Sequence, residues 1–169
     1  MIVWKVSLPV CLLKGSLVDV ETTGLPSDSS AEPITVGYIV GDTLQIIQRT
    51  FKDSPLQLLK RIPRLPEPLC AFNRKFEEYF LKVKVEEEVQ ATPYERKRDA
   101  IRIEGLQDPF YGEGRRVVEV WKAHLRSREL SHVESIMQHN LSCLISELCL
   151  LTVRKTSLNI TEKEVGDRP

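Results

Sequence analysis

Residues 16–28 read SLVDVETTGLPSD, an apolar run that ends in two acids. Asp19 and Glu21 flank Val20. On a strand, residues i and i+2 point to the same face. The two carboxylates would therefore stand side by side while Val20 turns toward a core. Adjacent carboxylates repel unless a positive charge lies between them. Mg²⁺ and Mn²⁺ suit that place, because hard divalent ions prefer carboxylate oxygens. The end of a strand in an α/β sheet is also where such folds place their sites. The plain alternative is a solvated pair of acids at a strand end, since a bare Asp-x-Glu recurs by accident.

The elements that must position these acids can be read from pattern. Residues 16–21 form a strand ended by Gly24 and Pro26. The β-rich stretches 34–40 and 43–51 are joined by Gly41-Asp42, which predicts a hairpin. Pro55 opens a short helix that the proline-rich PRLPEP stops. Residues 69–72, LCAF, make a short apolar strand. Asn73 follows as N-cap of a helix through Leu81, with Phe76, Tyr79 and Phe80 on its apolar side. VKVEEEVQ fits a strand or a helix tail. Residues 92–95, TPYE, have capping-box spacing with Pro93 at the first helical position, so a helix is expected there. Residues 104–114 read as loop. Residues 115–126 read as a helix on which Val117, Val120, Trp121 and Leu125 share a face. Ser131 and Glu134 form a second capping box before a long helix, and the last dozen residues are polar and expected to fray. Strands with a hairpin, then a helix, a strand and mostly helices predict an α/β domain with a mixed sheet. Residues 1–155 would form that domain and 156–169 a polar tail.

Composition bounds the function. The 169 residues suit one domain with a real core, and 41% hydrophobic with 28% charged residues describe a folded globular chain. Lys+Arg and Asp+Glu both number 24, which argues against a strong non-specific polyanion binder and leaves a local basic patch open. Arg96, Lys97, Arg98 and Arg102, with Arg115 and Arg116, are the candidates for such a track, or else simply solvated helix faces. Tyr111 is a candidate for base stacking, and Trp121 is read as core. Cys11, Cys70, Cys143 and Cys149 show no CxxC pairing, so neither a zinc motif nor a redox motif is indicated. No apolar run reaches the ~20 residues of a membrane span, and the start has no signal-peptide pattern. A cytoplasmic protein without membrane contact is expected. His124 and His132 have no partner pattern and are read as surface residues.

The motif DVETTGL after an apolar strand resembles the first motif of the DEDD 3′–5′ exonucleases of the ribonuclease H-like superfamily. CAFNRKFEEYFL at 70–81 is similar to that family's second motif, with Asn73, Phe76, Glu77, Phe80 and Leu81 in the recurring places. Residues 117–151 resemble the last helices of the YprB-like predicted exonuclease branch, where a Trp-containing helix precedes a long helix bearing His-Asn, here His139-Asn140. The resemblance implies a ribonuclease H-like mixed β-sheet flanked by α-helices. It also implies hydrolysis of DNA or RNA strand ends by two Mg²⁺ or Mn²⁺ ions. Asp19 and Glu21 would hold the ions, Glu77 would assist, and His139 would act as general base with Glu21 beside it. A neutral imidazole near pH 7 suits a base. Thr22, Thr23, Asn73 and Asn140, with Arg96, Arg98 and Arg115, would contact the strand.

Two departures stand out. The second-motif acid is Glu77 rather than Asp, and the last acid's place holds Cys143, a poor ligand for Mg²⁺ and a better one for softer ions. Glu147 lies one turn onward on the flank shared with His139 and Cys143, where it would either reach the metal or face solvent. The rival expectation is a catalytically inactive ribonuclease H-like module that binds nucleic acid or protein. Endonuclease action through the same ligands also stays open.

Overall fold

The computed structural model describes residues 1–8, 13–92, 95, 101 and 103–166, with side chains through residue 154. Its centre is a six-stranded mixed sheet in the order β1-β4-β3-β2-β5-β6. β2 (Ser16–Thr22), β3 (Pro33–Val40) and β4 (Thr43–Gln48) form an antiparallel meander, and β5 (Leu69–Ala71) and β6 (Glu87–Glu88) add parallel to its other side. The β3–β4 hairpin turns at Gly41, whose φ of 58° is one that glycine adopts without steric cost. β1 (Ile2–Ser7) pairs antiparallel with β4 at the edge. The sequence reading assigned no element to this strand, although Ile2, Val3, Trp4 and Val6 are β-favouring residues; most of it is exposed at the sheet edge.

Helices cover both faces. On one face, α1 (Pro55–Leu59) and α2 (Arg74–Leu81) bring Leu58, Phe80 and Leu81 against Val18, Val20, Val36 and Ala71. α1 starts in a capping box made by Ser54 and Gln57, and Asn73 caps α2 by accepting the Phe76 N–H at 3.2 Å. On the other face lies α4 (Leu130–Gly166), whose Met137, Leu144 and Leu148 pack on Leu17, Ile39 and Cys70. α3 (Arg116–Ser127) leans on α4 through Val117, Trp121, Val133 and Ile136, while Leu125 points outward.

Several expectations change here. α4 begins at Leu130, so Ser131 lies inside the helix rather than capping it, and its carbonyl accepts from Ser135. The helix also runs through the stretch read as a polar tail, to Gly166. His124 is not a surface residue. It is fully buried, with Nδ1 at 2.9 Å from the Glu129 carbonyl and Nε2 accepting the Phe51 N–H at 3.3 Å. These two bonds to loop backbone dock the end of α3 onto the turn after β4. The stretch Leu130–Arg154 is long and apolar enough to cross a membrane, with a mean hydropathy of 1.3. Its apolar residues Ile136, Met137, Leu144 and Leu148 are core residues against the sheet and α3. The helix expected after residue 92 falls outside the described residues.

Candidate functional site

Alternation along β2 puts Leu17, Asp19 and Glu21 on the face beneath α4, and Val18 and Val20 on the face beneath α1 and α2. Asp19 is only 4% exposed, so its carboxylate needs a partner. Asn140 supplies one: its amide donates to Asp19 Oδ2 at 2.7 Å and to the Asp19 carbonyl at 3.3 Å. Asn140 Oδ1 is buried with no hydrogen-bond partner among the described residues. The helix can come this close because Gly37, opposite Asp19 in the β2–β3 ladder, has no side chain. A Cβ on Gly37 would meet Asn140 Oδ1 at 2.0 Å and Leu144 Cδ1 at 2.5 Å. Gly37 is thus a positioning residue that the sequence reading missed.

His139, one residue earlier on α4, is 6% exposed. Its Nδ1 lies 2.7 Å from Asp108 Oδ1, and its Nε2 lies 3.7 Å from Glu21 Oε1 and 3.9 Å from Cys143 Sγ. Asp108 sits in the loop before α3. Ser142 of α4 donates to the Gln107 carbonyl at 2.8 Å, and the Phe110 N–H donates to Asp108 Oδ1 at 2.8 Å. The loop is therefore fastened over the helix, and its acid is aimed at the imidazole. Burial pulls the imidazole's proton affinity down and is the largest single influence. The pulls of Asp108, Cys143 and Glu21 together outweigh it and push His139 up to about 11. At neutral pH these partners favour the imidazolium over the neutral base expected from its type.

These residues open onto one cleft of about 1320 Å³. Asp19, Glu21, Glu77, Asn73, His139 and Cys143 line it. Glu77 enters from the first turn of α2, where the helix dipole favours an anion, and is 3% exposed. Cys143 is half-buried and faces the cleft, so it is not core packing. Within this wall, Glu21, His139 and Cys143 form a tight group whose donor atoms all lie within 4.8 Å of one another. Asp19 and Glu77 share the cleft but lie outside that group.

Other expected residues fall elsewhere. Glu147 neither faces solvent nor lines the cleft. It is fully buried. Asn140 is fully buried and holds Asp19, so it cannot touch a strand as expected. Thr23 ties the β2–β3 return, accepting the Glu32 N–H at 2.8 Å, and is not part of the lining. Thr22 lines the cleft while donating to the Gly24 carbonyl at 2.6 Å. Arg115 and Tyr111 are exposed and line the cleft. Arg96 and Arg98 lie outside the described residues. Asp108, the partner that defines the state of His139, was not singled out in the sequence, where it is one acid in a loop.

No protein-family model, curated protein or solved structure matches this chain.

Proposed function

We propose that the cleft is that of a ribonuclease H-like, metal-dependent phosphodiester hydrolase acting on the 3′ ends of DNA or RNA strands. The observation that carries the reading is that Asp19 and Glu21 from one strand and Glu77 from a capped helix line the same cleft. The mixed sheet with helices on both faces is compatible with the fold that the motif resemblance implies. The three carboxylates offer oxygen donors that fit Mg²⁺ or Mn²⁺, whereas Cys143 does not fit a hard ion. Bound there, divalent ions would activate water and neutralise charge developing on the leaving oxygen.

The chain's own residues do the rest. Asn140 fixes the Asp19 carboxylate by a charge-assisted hydrogen bond, so one oxygen is oriented before any ion arrives. His139 enters as a cationic donor beside Glu21, held by Asp108, rather than as the base. In that state it can donate to a phosphate oxygen or neutralise charge near the scissile bond. Tyr111 and Arg115, exposed at the cleft, suit stacking and phosphate contact at a strand end.

The second reading is a strand-binding module without hydrolysis. Cys143 in the place of an acid and a protonated His139 both favour it. The experiment that separates the two is a panel of single- and double-stranded DNA and RNA with Mg²⁺ or Mn²⁺, assayed in parallel for binding and for cleavage. Stepwise shortening from free 3′ ends supports the hydrolase. Binding with intact strands under both metals supports the module.

A further inference from the structure

We infer that Glu21, His139 and Cys143 form a site for a borderline-soft divalent ion, Zn²⁺ above all, with Asp108 as the outer partner of the histidine. This goes beyond the hydrolase reading and does not rest on it: with the ion bound, Glu21 and the unprotonated His139 are its ligands, and the cationic His139 belongs to the metal-free corner.

Three observations carry it. The first is the donor set. One imidazole nitrogen, one thiol sulfur and one carboxylate oxygen are the three ligand types that zinc takes in proteins. A hard ion would leave the sulfur unused. The second is spacing. A tetrahedral ion with Zn–N of about 2.05 Å, Zn–S of about 2.3 Å and Zn–O of about 2.1 Å holds N and S about 3.6 Å apart and N and O about 3.4 Å apart. The pairs here are 3.9 Å and 3.7 Å, so each needs to close by only about 0.3 Å. The sulfur and the carboxylate oxygen also lie within 4.8 Å of each other. The third is the outer partner. Asp108 Oδ1 occupies Nδ1 at 2.7 Å, which fixes the ring and directs Nε2 at Glu21 and Cys143. A carboxylate on the far nitrogen is the usual companion of a zinc-bound histidine.

His139 and Cys143 are one helical turn apart on α4, and Glu21 comes from β2. The ligands thus bridge helix and sheet, and all three line the cleft. Three protein ligands leave a fourth position for water from the cleft, the pattern of catalytic rather than structural zinc. Ligation needs the thiolate and an unprotonated Nε2, so each binding event releases the protons those atoms carry.

The test is titration of the purified full chain with Zn²⁺ by calorimetry and with Co²⁺ by absorbance, without nucleic acid. Failure here therefore leaves the hydrolase reading standing, and failure of cleavage leaves this site standing. One equivalent of Zn²⁺ is expected, together with a thiolate-to-cobalt charge-transfer band. Cys143→Ser should abolish the band, Cys149→Ser should leave it, and Asp108→Asn should weaken Zn²⁺ binding 10–100-fold. If Cys143→Ser does not fold, alkylation of wild type decides instead. Zn²⁺ should protect Cys143 from iodoacetamide, as read by peptide mass. Absence of the band in wild type, its survival in Cys143→Ser, equal Zn²⁺ affinity in Asp108→Asn, or equal alkylation with and without Zn²⁺ would each overturn the site.

Discussion

Gly37→Ala tests how the site is held. The added Cβ would lie 2.0 Å from Asn140 Oδ1 and 2.5 Å from Leu144 Cδ1. Ordinary contact needs more than about 3.2 Å, so Asn140 must swing away or α4 must lift by about 1 Å. Overpacking of this kind costs about 1–3 kcal/mol. Losing the bond from Asn140 to a buried carboxylate adds about 1.5–3 kcal/mol, the range for hydrogen bonds to charged groups. A total near 4 kcal/mol corresponds to a drop in Tm of about 8–16 °C for a chain of this size. The assay is thermal unfolding of Gly37→Ala, Asn140→Ala and the double variant. Because both substitutions break the same contact, the double variant should lose clearly less than the sum of the two. Part of the Gly37→Ala effect should persist in the double variant, since Leu144 is still crowded. A Gly37→Ala protein as stable as wild type, or strict additivity, would refute the idea that the glycine exists to let Asn140 reach Asp19.

His139 should remain an imidazolium at pH 8 in the metal-free protein, as read by ¹⁵N shifts of the ring; titration near 6.5 would remove Asp108 and Glu21 as effective partners. Its folded value lies above its unfolded one, so the stability it contributes is complete below about 6.5 and is lost as pH rises toward about 11. The Tm of metal-free wild type should therefore fall between pH 7 and 9 more steeply than that of Asp108→Asn, and parallel slopes would count against the pairing. Asn73→Ala should lower stability by about 1 kcal/mol through loss of the α2 cap, measurable by denaturant unfolding. Because the same cap sets the turn that carries Glu77, a fully stable variant would place the helix start elsewhere.

Local pattern was enough where the physics is local. The alternation of Leu17, Asp19 and Glu21 with Val18 and Val20 told which acids share a face, and Asn73 announced its helix by its own side chain. Gly41-Asp42 did the same for the hairpin. The parts that stayed hidden depend on contacts between distant segments. Asp108 and His139 are 31 residues apart, and Asn140 and Asp19 are 121 apart. No periodicity links such pairs. The motif resemblance gave Asn140 a strand-contacting role, and only the close approach at Gly37 shows it as a buried strut. His139 has the type of a base, but its neighbours set its charge. Glu147 misled in the same way, since its spacing from Cys143 is right for the flank while the folded chain buries that position completely.

The central claim is that this cleft hydrolyses strand ends with divalent metal. Its most direct test is degradation of a 5′-labelled single strand with Mn²⁺ by wild type and by Asp19→Asn of matched purity. The carboxylate that Asn140 orients is then lost while the amide keeps its size. Wild type should give a ladder shortening from the 3′ end, and Asp19→Asn should be at least ~10²-fold slower, the scale on which active-site groups act. A wild type that leaves the strand intact under both Mn²⁺ and Mg²⁺, or a variant that degrades it equally fast, would contradict the account.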